Sequence, residues 1–439
     1  MLNKHGGAGS VKTREADAAV VRRWNSLSLQ GARPMSMPRA VRHINATRAL
    51  GAIFRKGPMS RADLARELGL TRATAGSIVA ELAEAGLVVE VGEQDEAGRM
   101  GRTGRPGTIV RLRGAHSAFI GADLAVGRMT VVALDLAAGL VDRRHEAFTP
   151  SDLSPPEIID RLVGLISASI ARLSASHVVR GLCVTVPGIV DKAGTVARLP
   201  IMGWRNEPLL PRLRAAFPEL ESILVENDAK AAALAEHEGS APAPGAQTIH
   251  LFMDAGIGGA VVADGRLQRG SGGYAGEFGH ISIGERGFVD GPALPGSLES
   301  FVGREALLAR HRFHGGTGDR LDDVVEALMA GRPAALAALD DWSHHLGRAL
   351  ALLAAIFDPA EIIVGGPLAV LLDAAEPATL RSMRRHLMPD HPMPRLTRSA
   401  LGADGPAIGG ATLLHRAALR FGDGPAAAGD PMRSLDRPS

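Results

Sequence analysis

The segment AGEFGH at residues 275–280 places a carboxylate, Glu277, and an imidazole, His280, among glycines. SLE at residues 297–299 adds a second carboxylate, Glu299, and ND at residues 227–228 adds the amide of Asn227 and the carboxylate of Asp228. A carboxylate accepts hydrogen bonds from two hydroxyls at once, and amide and imidazole groups supply complementary partners. This mixture favours a pocket for a hydroxyl-rich ligand such as a sugar.

Around these residues the chain from residue 115 onward alternates between strand and helix patterns, which predicts an α/β fold. Two such α/β lobes facing a cleft would place a ligand at strand ends. We expect strands at residues 119–123, 129–135, 181–186, 223–225, 250–253 and 259–262, and helices at about 155–174 and 229–236.

The composition is that of a globular protein with 439 residues, of which 46% are apolar and 3% aromatic. No run of apolar residues is long enough for a membrane span, and the N-terminus lacks the apolar core of a signal peptide, so we expect a cytoplasmic protein without a membrane partner. The single cysteine, Cys183, excludes an internal disulfide and lies in an apolar run typical of a buried strand.

Charge is distributed unevenly along the chain. Residues 1–113 contain 19 Lys and Arg against 10 Asp and Glu, whereas the remainder contains 30 against 37. A basic N-terminal part indicates a polyanionic partner for that part, although a solvated basic tail would give the same count.

The basic part has the pattern of a winged helix-turn-helix. Residues 1–37 show no periodicity and are expected to be disordered, and order should begin near Pro38. Ser60 and Thr71 are predicted to cap two short helices that are separated by a turn at Gly69. Two alternating strands, at residues 87–91 and 108–112, would form the wing.

The third helix of this domain would present Arg72, Thr74 and Ser77 to the major groove of DNA, because they lie off its apolar stripe. Arg102 and Arg105, spaced by Gly and Pro between the wing strands, suit insertion into a narrow minor groove. A helical bundle with an ordinary polar face, and a linker with incidental arginines, are the structural alternatives.

Four stretches of the chain resemble the ROK family of repressors and sugar kinases, and the resemblance covers about residues 38–422. They are VPGIVD at residues 186–191, ENDA at 226–229, GEFGH at 276–280 and Glu299. The resemblance implies a duplicated ribonuclease-H-like, actin-like ATPase fold behind the winged helix-turn-helix. It also implies that Asn227, Asp228, Glu277, His280 and Glu299 contact sugar hydroxyls, with Asp228 at the general-base position of the kinases.

The chain departs from the family at two places. The zinc loop of ROK proteins joins a histidine to three cysteines, but the corresponding positions here hold Asp290, Pro292 and Ser297. The two phosphate-binding loops are altered as well: the family's Asp-x-Gly-x-Thr is replaced by DLAVGR at residues 123–128, and its Gly-Thr-Gly-x-Gly by DAGIGG at residues 254–259. We therefore expect no metal, no cofactor and no kinase activity.

These observations predict a disordered basic tail (1–37), a DNA-binding domain (38–113), a two-lobed sugar-binding domain (114–422) and a disordered tail (423–439). The predicted function is a sugar-responsive transcriptional regulator, with repression the commoner mode in the family. Its partners would be operator DNA, a sugar or sugar phosphate, and further copies of the chain in a homodimer or homotetramer. The alternatives are a sugar kinase fused to a DNA-binding head and a regulator that answers a protein partner.

Overall fold

The computed structural model describes residues 37–92, 108–237, 245–289 and 294–420, without the side chains of 37–40 and 420. Of the tails expected to be disordered, only Met37 falls within these ranges, and it begins a helix. The described residues form two compact units, one of residues 37–116 with 136–139 and 415–420, and the other of residues 117–135 with 140–414.

The first unit is a three-helix domain with a small antiparallel sheet, as the caps and alternating strands predict. Its strand order is β1-β3-β2, and the two-residue strand β1 was not expected from the sequence. The elements are α1 (Met37–Lys56), β1 (Met59–Ser60), α2 (Arg61–Leu68), α3 (Arg72–Glu84), β2 (Val88–Gly92) and β3 (Thr108–Leu112).

Helical periodicity determines the core of this unit. The predicted apolar stripe of α3, Ala75, Ile78, Val79 and Leu82, is buried. Val41 has the same apolar spacing in α1, but it is 52% exposed. The ring of His415 packs edge-on against Phe54 of α1, with ring centroids 4.8 Å apart, and completes this side of the core.

The second unit consists of two α/β lobes. In the first lobe, β4, β5 and β6 form an antiparallel meander, and β7 and β11 continue the sheet in parallel, giving the order β11-β7-β4-β5-β6. The elements are β4 (Ser117–Ala125), β5 (Arg128–Asp135), β6 (Leu140–Ala147), α4 (Pro155–Leu173), β7 (Val178–Val186), β8 (Ile189–Val190), β9 (Val196–Leu199), β10 (Trp204–Glu207), α5 (Leu209–Ala216), β11 (Ser222–Asn227) and α6 (Asp228–Glu236).

The second lobe repeats this topology, with the order β14-β13-β12-β15-β16 and the same change from antiparallel to parallel pairing. This repetition confirms the predicted duplicated fold. The elements are β12 (Gln247–Met253), β13 (Ile257–Ala263), β14 (Arg266–Leu267), α7 (Leu298–Val302), α8 (Arg304–Phe313), α9 (Leu321–Met329), α10 (Pro333–Phe357), β15 (Glu361–Gly365), α11 (Leu372–His386), β16 (Arg395–Arg398) and α12 (Gly405–Arg420).

Both sheets are apolar where helices cover them. Cys183 is a fully buried residue of β7, as its apolar surroundings predict. Among the described helices, none is long and apolar enough to cross a membrane.

Candidate functional site

The first candidate surface is the outer face of α3. Thr71 caps this helix by accepting a hydrogen bond from the backbone N–H of Thr74 at 3.2 Å. Arg72, Thr74 and Ser77 are exposed, on the side opposite the buried stripe. The short α2, the left-handed turn at Gly69 (φ 66°) and this exposed face have the arrangement of a helix-turn-helix. Arg102 and Arg105 lie outside the described residues.

The second candidate site begins where β11 gives way to α6. Asn227 caps α6 by accepting from the N–H of Lys230 at 3.1 Å, and its Nδ2 donates to Gly188 O and to Asp228 Oδ1. Asp228 Oδ1 also accepts from the N–H of Ala229 at 2.7 Å. Both amide hydrogens of Asn227 are thus engaged, so the residue holds the Asp228 carboxylate in place.

Glycines shape the turn that carries Glu277 and His280. Gly276 has φ 94°, and a Cβ on it would lie 2.2 Å from Gly259 O. Phe278, the residue between the two polar side chains, is buried against Gly259, where a Cβ would lie 2.3 Å from its ring. This close packing fixes the turn and leaves Glu277 half-buried and His280 exposed on either side of Phe278.

Glu299 is held by the loop that precedes β13. Its Oε2 accepts a hydrogen bond from the backbone N–H of Ile257 at 2.9 Å. A Cβ on Gly256 would lie 2.9 Å from the same oxygen, so a larger residue there would displace the Glu299 carboxylate. The carboxylate is thus oriented by a backbone N–H group.

These side chains lie close enough for their charges to act on one another. Burial, with the charges of Asp123 and Glu277, raises the pKa of Asp228 well above its usual range. Burial also raises the pKa of Glu299; the N–H of Ile257 and the charge of His280 oppose this rise, and Glu277 adds to it. The structure therefore brings Asp228, Glu277, His280 and Glu299 into one cluster.

Two further residues, Asp123 and Lys230, interact with this cluster and were not among the predicted site residues. Asp123, in β4, accepts a hydrogen bond from the Thr185 hydroxyl at 2.8 Å, and burial raises its pKa to about 7. Lys230 is buried, its Nζ donates to Gly273 O at 2.5 Å, and its charge interacts with that of Glu277. A lysine followed by a run of apolar residues, at positions 231–235, is the signal that could have identified Lys230.

The residues present do not fit the zinc that the resemblance implies. Ser297 is buried, and its hydroxyl caps α7, while Cys183 lies in a strand of the other lobe. Within the described ranges, no three His, Cys, Asp or Glu side chains are grouped to hold a metal ion. Asp290 and Pro292 lie outside the described residues. In the described part of this segment, the guanidinium of Arg310 lies 4.4 Å from the Phe288 ring centroid and donates to Phe301 O.

The two segments that the sequence matches to phosphate-binding loops contact other elements of the fold. Asp254, at the start of the second loop, forms an ion pair with Arg304, the first residue of α8. In the first loop, Arg128 Nη2 donates to Ala403 O at 3.2 Å. Burial lowers the pKa of Arg304; the charge of Glu305 opposes this shift, and the charge of Arg128 adds to it.

Replacing Asp123 tests whether ionisation of its buried carboxylate costs folding stability. The pKa of Asp123 is about 7 in the folded chain, above the value of about 4 of an unfolded one, so its ionisation costs stability as pH rises from 4 through 7. We expect Asp123→Asn to raise the free energy of unfolding at pH 8 by roughly 1–4 kcal/mol, and the gain to shrink toward pH 4. Urea denaturation at several pH values measures this, with the exposed Asp152→Asn as a control; a gain that does not vary with pH would contradict it.

Comparison with known proteins agrees with this architecture. The ROK family model matches residues 120–417, and the MarR family model matches residues 42–100. The chain is 28% identical to the xylose repressor of Bacillus spizizenii over 386 residues, which cover 85% of this chain and 95% of that protein. It is 28% identical to a glucokinase of Streptomyces coelicolor over 302 residues, 64% of this chain and 94% of the enzyme.

A solved structure of a ROK family transcriptional regulator, a homologue of the Escherichia coli MLC protein, superimposes with a TM-score of 0.69. It is 25% identical, and the match covers 90% of this chain and 99% of that one. The family match spans both lobes and the carboxylate cluster, and the winged helix precedes it. The chain belongs to the ROK family, with an N-terminal winged-helix domain of the MarR type.

Proposed function

We propose that this chain is a sugar-responsive transcriptional repressor. The observation that carries the proposal is that one chain has both an exposed helix-turn-helix face and a cluster of carboxylates and imidazole suited to sugar hydroxyls. Relatives over most of the chain's length include a protein named xylose repressor, which supports regulation by a sugar.

In the proposed complex, sugar hydroxyls donate to Asp228, Glu277 and Glu299, and His280 supplies the complementary partner. Asn227 contacts the sugar through Oδ1 only, because both hydrogens of its Nδ2 are engaged. Because its pKa is raised, Asp228 can also be protonated, and its carboxyl group can then donate a hydrogen bond to a sugar oxygen as well as accept one from a sugar hydroxyl.

On DNA, Arg72, Thr74 and Ser77 would contact base edges and phosphates of the operator, with Arg102 and Arg105 as proposed minor-groove contacts. Operator half-sites repeat at roughly 10 base pairs or multiples, which suits a homodimer or homotetramer. A coupling of ~1–3 kcal/mol between sugar and operator sites suffices for regulation.

The competing function is a sugar kinase, since a glucokinase is also among the relatives and Asp228 occupies the general-base position. Phosphoryl transfer depends on loops that position the phosphates. Here Asp254 puts a carboxylate in one of these loops, paired with Arg304, and Ala255 lacks the hydroxyl of the family's threonine. We therefore propose that the chain binds sugar without phosphorylating it.

One experiment separates these functions. Operator duplexes are selected from a random library with the full-length protein, and their release is followed by fluorescence anisotropy during titration with pentoses, hexoses and amino sugars. In parallel, ADP formation is assayed with each sugar and ATP. Release by one sugar without ADP supports the proposal, sugar-dependent ADP formation supports the kinase, and operator binding that no sugar changes supports a protein effector.

A further inference from the structure

The second altered phosphate loop contains an ion pair that bears on which form of the sugar can bind. Asp254 follows β12 directly, and its N–H donates to Gly256 O at 2.9 Å in a tight turn. Its carboxylate pairs with the guanidinium of Arg304, which α8 places there. The loop thus contains a carboxylate, that of Asp254, which occupies the guanidinium of Arg304.

This ion pair lies next to the proposed sugar contacts. Gly256, two residues after Asp254, approaches Glu299 so closely that a Cβ would lie 2.9 Å from Oε2. On the other side, Gly303 donates to Glu299 O at 2.9 Å and directly precedes Arg304. A group extending from the bound sugar toward this loop would meet the Asp254 carboxylate.

The N–H donors of Arg304 and Arg128 that make no hydrogen bond within the described part of the chain suggest what an anion could bind at this loop if Asp254 were absent. The Nε atoms of Arg304 and Arg128 are buried and have no hydrogen-bond partner among the described residues. A buried guanidinium group with a free N–H donor binds an anion when no carboxylate competes for it. Asp254 is the carboxylate paired with Arg304, whereas the charge of Arg128 acts on Asp123.

We propose that the Asp254–Arg304 pair selects an unphosphorylated sugar as effector, by holding a carboxylate where the phosphate of a sugar phosphate would bind. The inference rests on the proposed function and identifies the ligand class of the same site. A phosphate ester would have to displace Asp254 from Arg304 and would meet Asp123 and Asp228 nearby, whereas a free hydroxyl meets only hydrogen-bonding groups.

Asp254→Asn keeps the size of the side chain and removes its charge, so it tests the proposal directly. Isothermal titration of the full-length protein uses glucose, xylose and N-acetylglucosamine, each beside its terminal phosphate ester. For the sugar that binds, we expect wild type to prefer the free form by about tenfold or more, and Asp254→Asn to gain about ten- to hundredfold for the ester, with free-sugar affinity unchanged. Asp264→Asn, the same charge change at the exposed turn after β13, should behave as wild type.

Two results would overturn this inference while leaving the proposed function intact. One is wild-type protein that binds the ester as tightly as the free sugar, and the other is an Asp254→Asn variant with no gain for the ester. If neither form of any sugar binds wild type, the proposed function itself fails, and the inference fails with it.

Discussion

Replacing Glu277 by alanine is expected to leave a repressor that binds its operator normally and no longer responds to its sugar. The carboxylate lies half-buried in the glycine-shaped turn and interacts with both Asp228 and Glu299. Its loss leaves a sugar hydroxyl unpaired, at a cost of ~1–3 kcal/mol, or one to two decades in affinity. Titrating the sugar against operator-bound wild type and variant measures the loss.

A structural role for the turn predicts a different outcome. The turn is built by Gly276, Phe278 and Gly259, so a merely structural Glu277 would change the melting temperature and leave sugar affinity as it was. Glu285→Ala is a matched control, because Glu285 is an exposed glutamate of the same region. An inducer response in Glu277→Ala equal to that of wild type would contradict the pocket assignment.

Replacing Arg72, Thr74 and Ser77 together by alanine is expected to abolish specific operator binding. All three are exposed on α3, so the fold of the domain should survive. Base contacts are worth ~1–3 kcal/mol each, so two or more lost contacts correspond to several decades in affinity. Anisotropy with operator and with random duplex, at two salt concentrations, separates base contacts from phosphate contacts.

Two further variants sharpen this test. Glu84→Ala changes an exposed residue at the opposite end of α3 and should not weaken operator binding. Arg72→Ala alone should weaken operator binding more than random binding; equal losses would make Arg72 a phosphate contact. A triple variant that still binds operator tightly would show that another surface contacts the bases.

Local signals predicted much of the fold. Ser60 and Thr71 accept the capping hydrogen bonds expected of them, and the stripe from Ala75 to Leu82 is buried. Such features depend only on residues within one or two helical turns, so a short stretch of sequence is enough to predict them. The pairing of β1 with β3 was missed because two residues, Met59 and Ser60, form no recognisable strand pattern.

The candidate site was predicted less completely, because its contacts join distant parts of the chain. The capping role of Asn227 is local to the start of α6, but its effect, fixing the Asp228 carboxylate, depends on the three-dimensional structure. The ion pair between Asp254 and Arg304 joins two different elements. Because these residues are far apart in the sequence, nothing in the sequence indicates that their charges meet. Asp123 was noted only as a remnant of a phosphate loop, since burial and a neighbouring carboxylate are three-dimensional properties.

In a sugar-responsive repressor, sugar binding and operator binding are linked, and linkage is reciprocal. The most direct measurement is therefore the affinity of full-length protein for its sugar in the absence and in the presence of saturating operator. We predict that operator weakens sugar binding by the same factor, roughly 5- to 150-fold, by which sugar weakens operator binding. Equal sugar affinities in the two conditions would contradict the account.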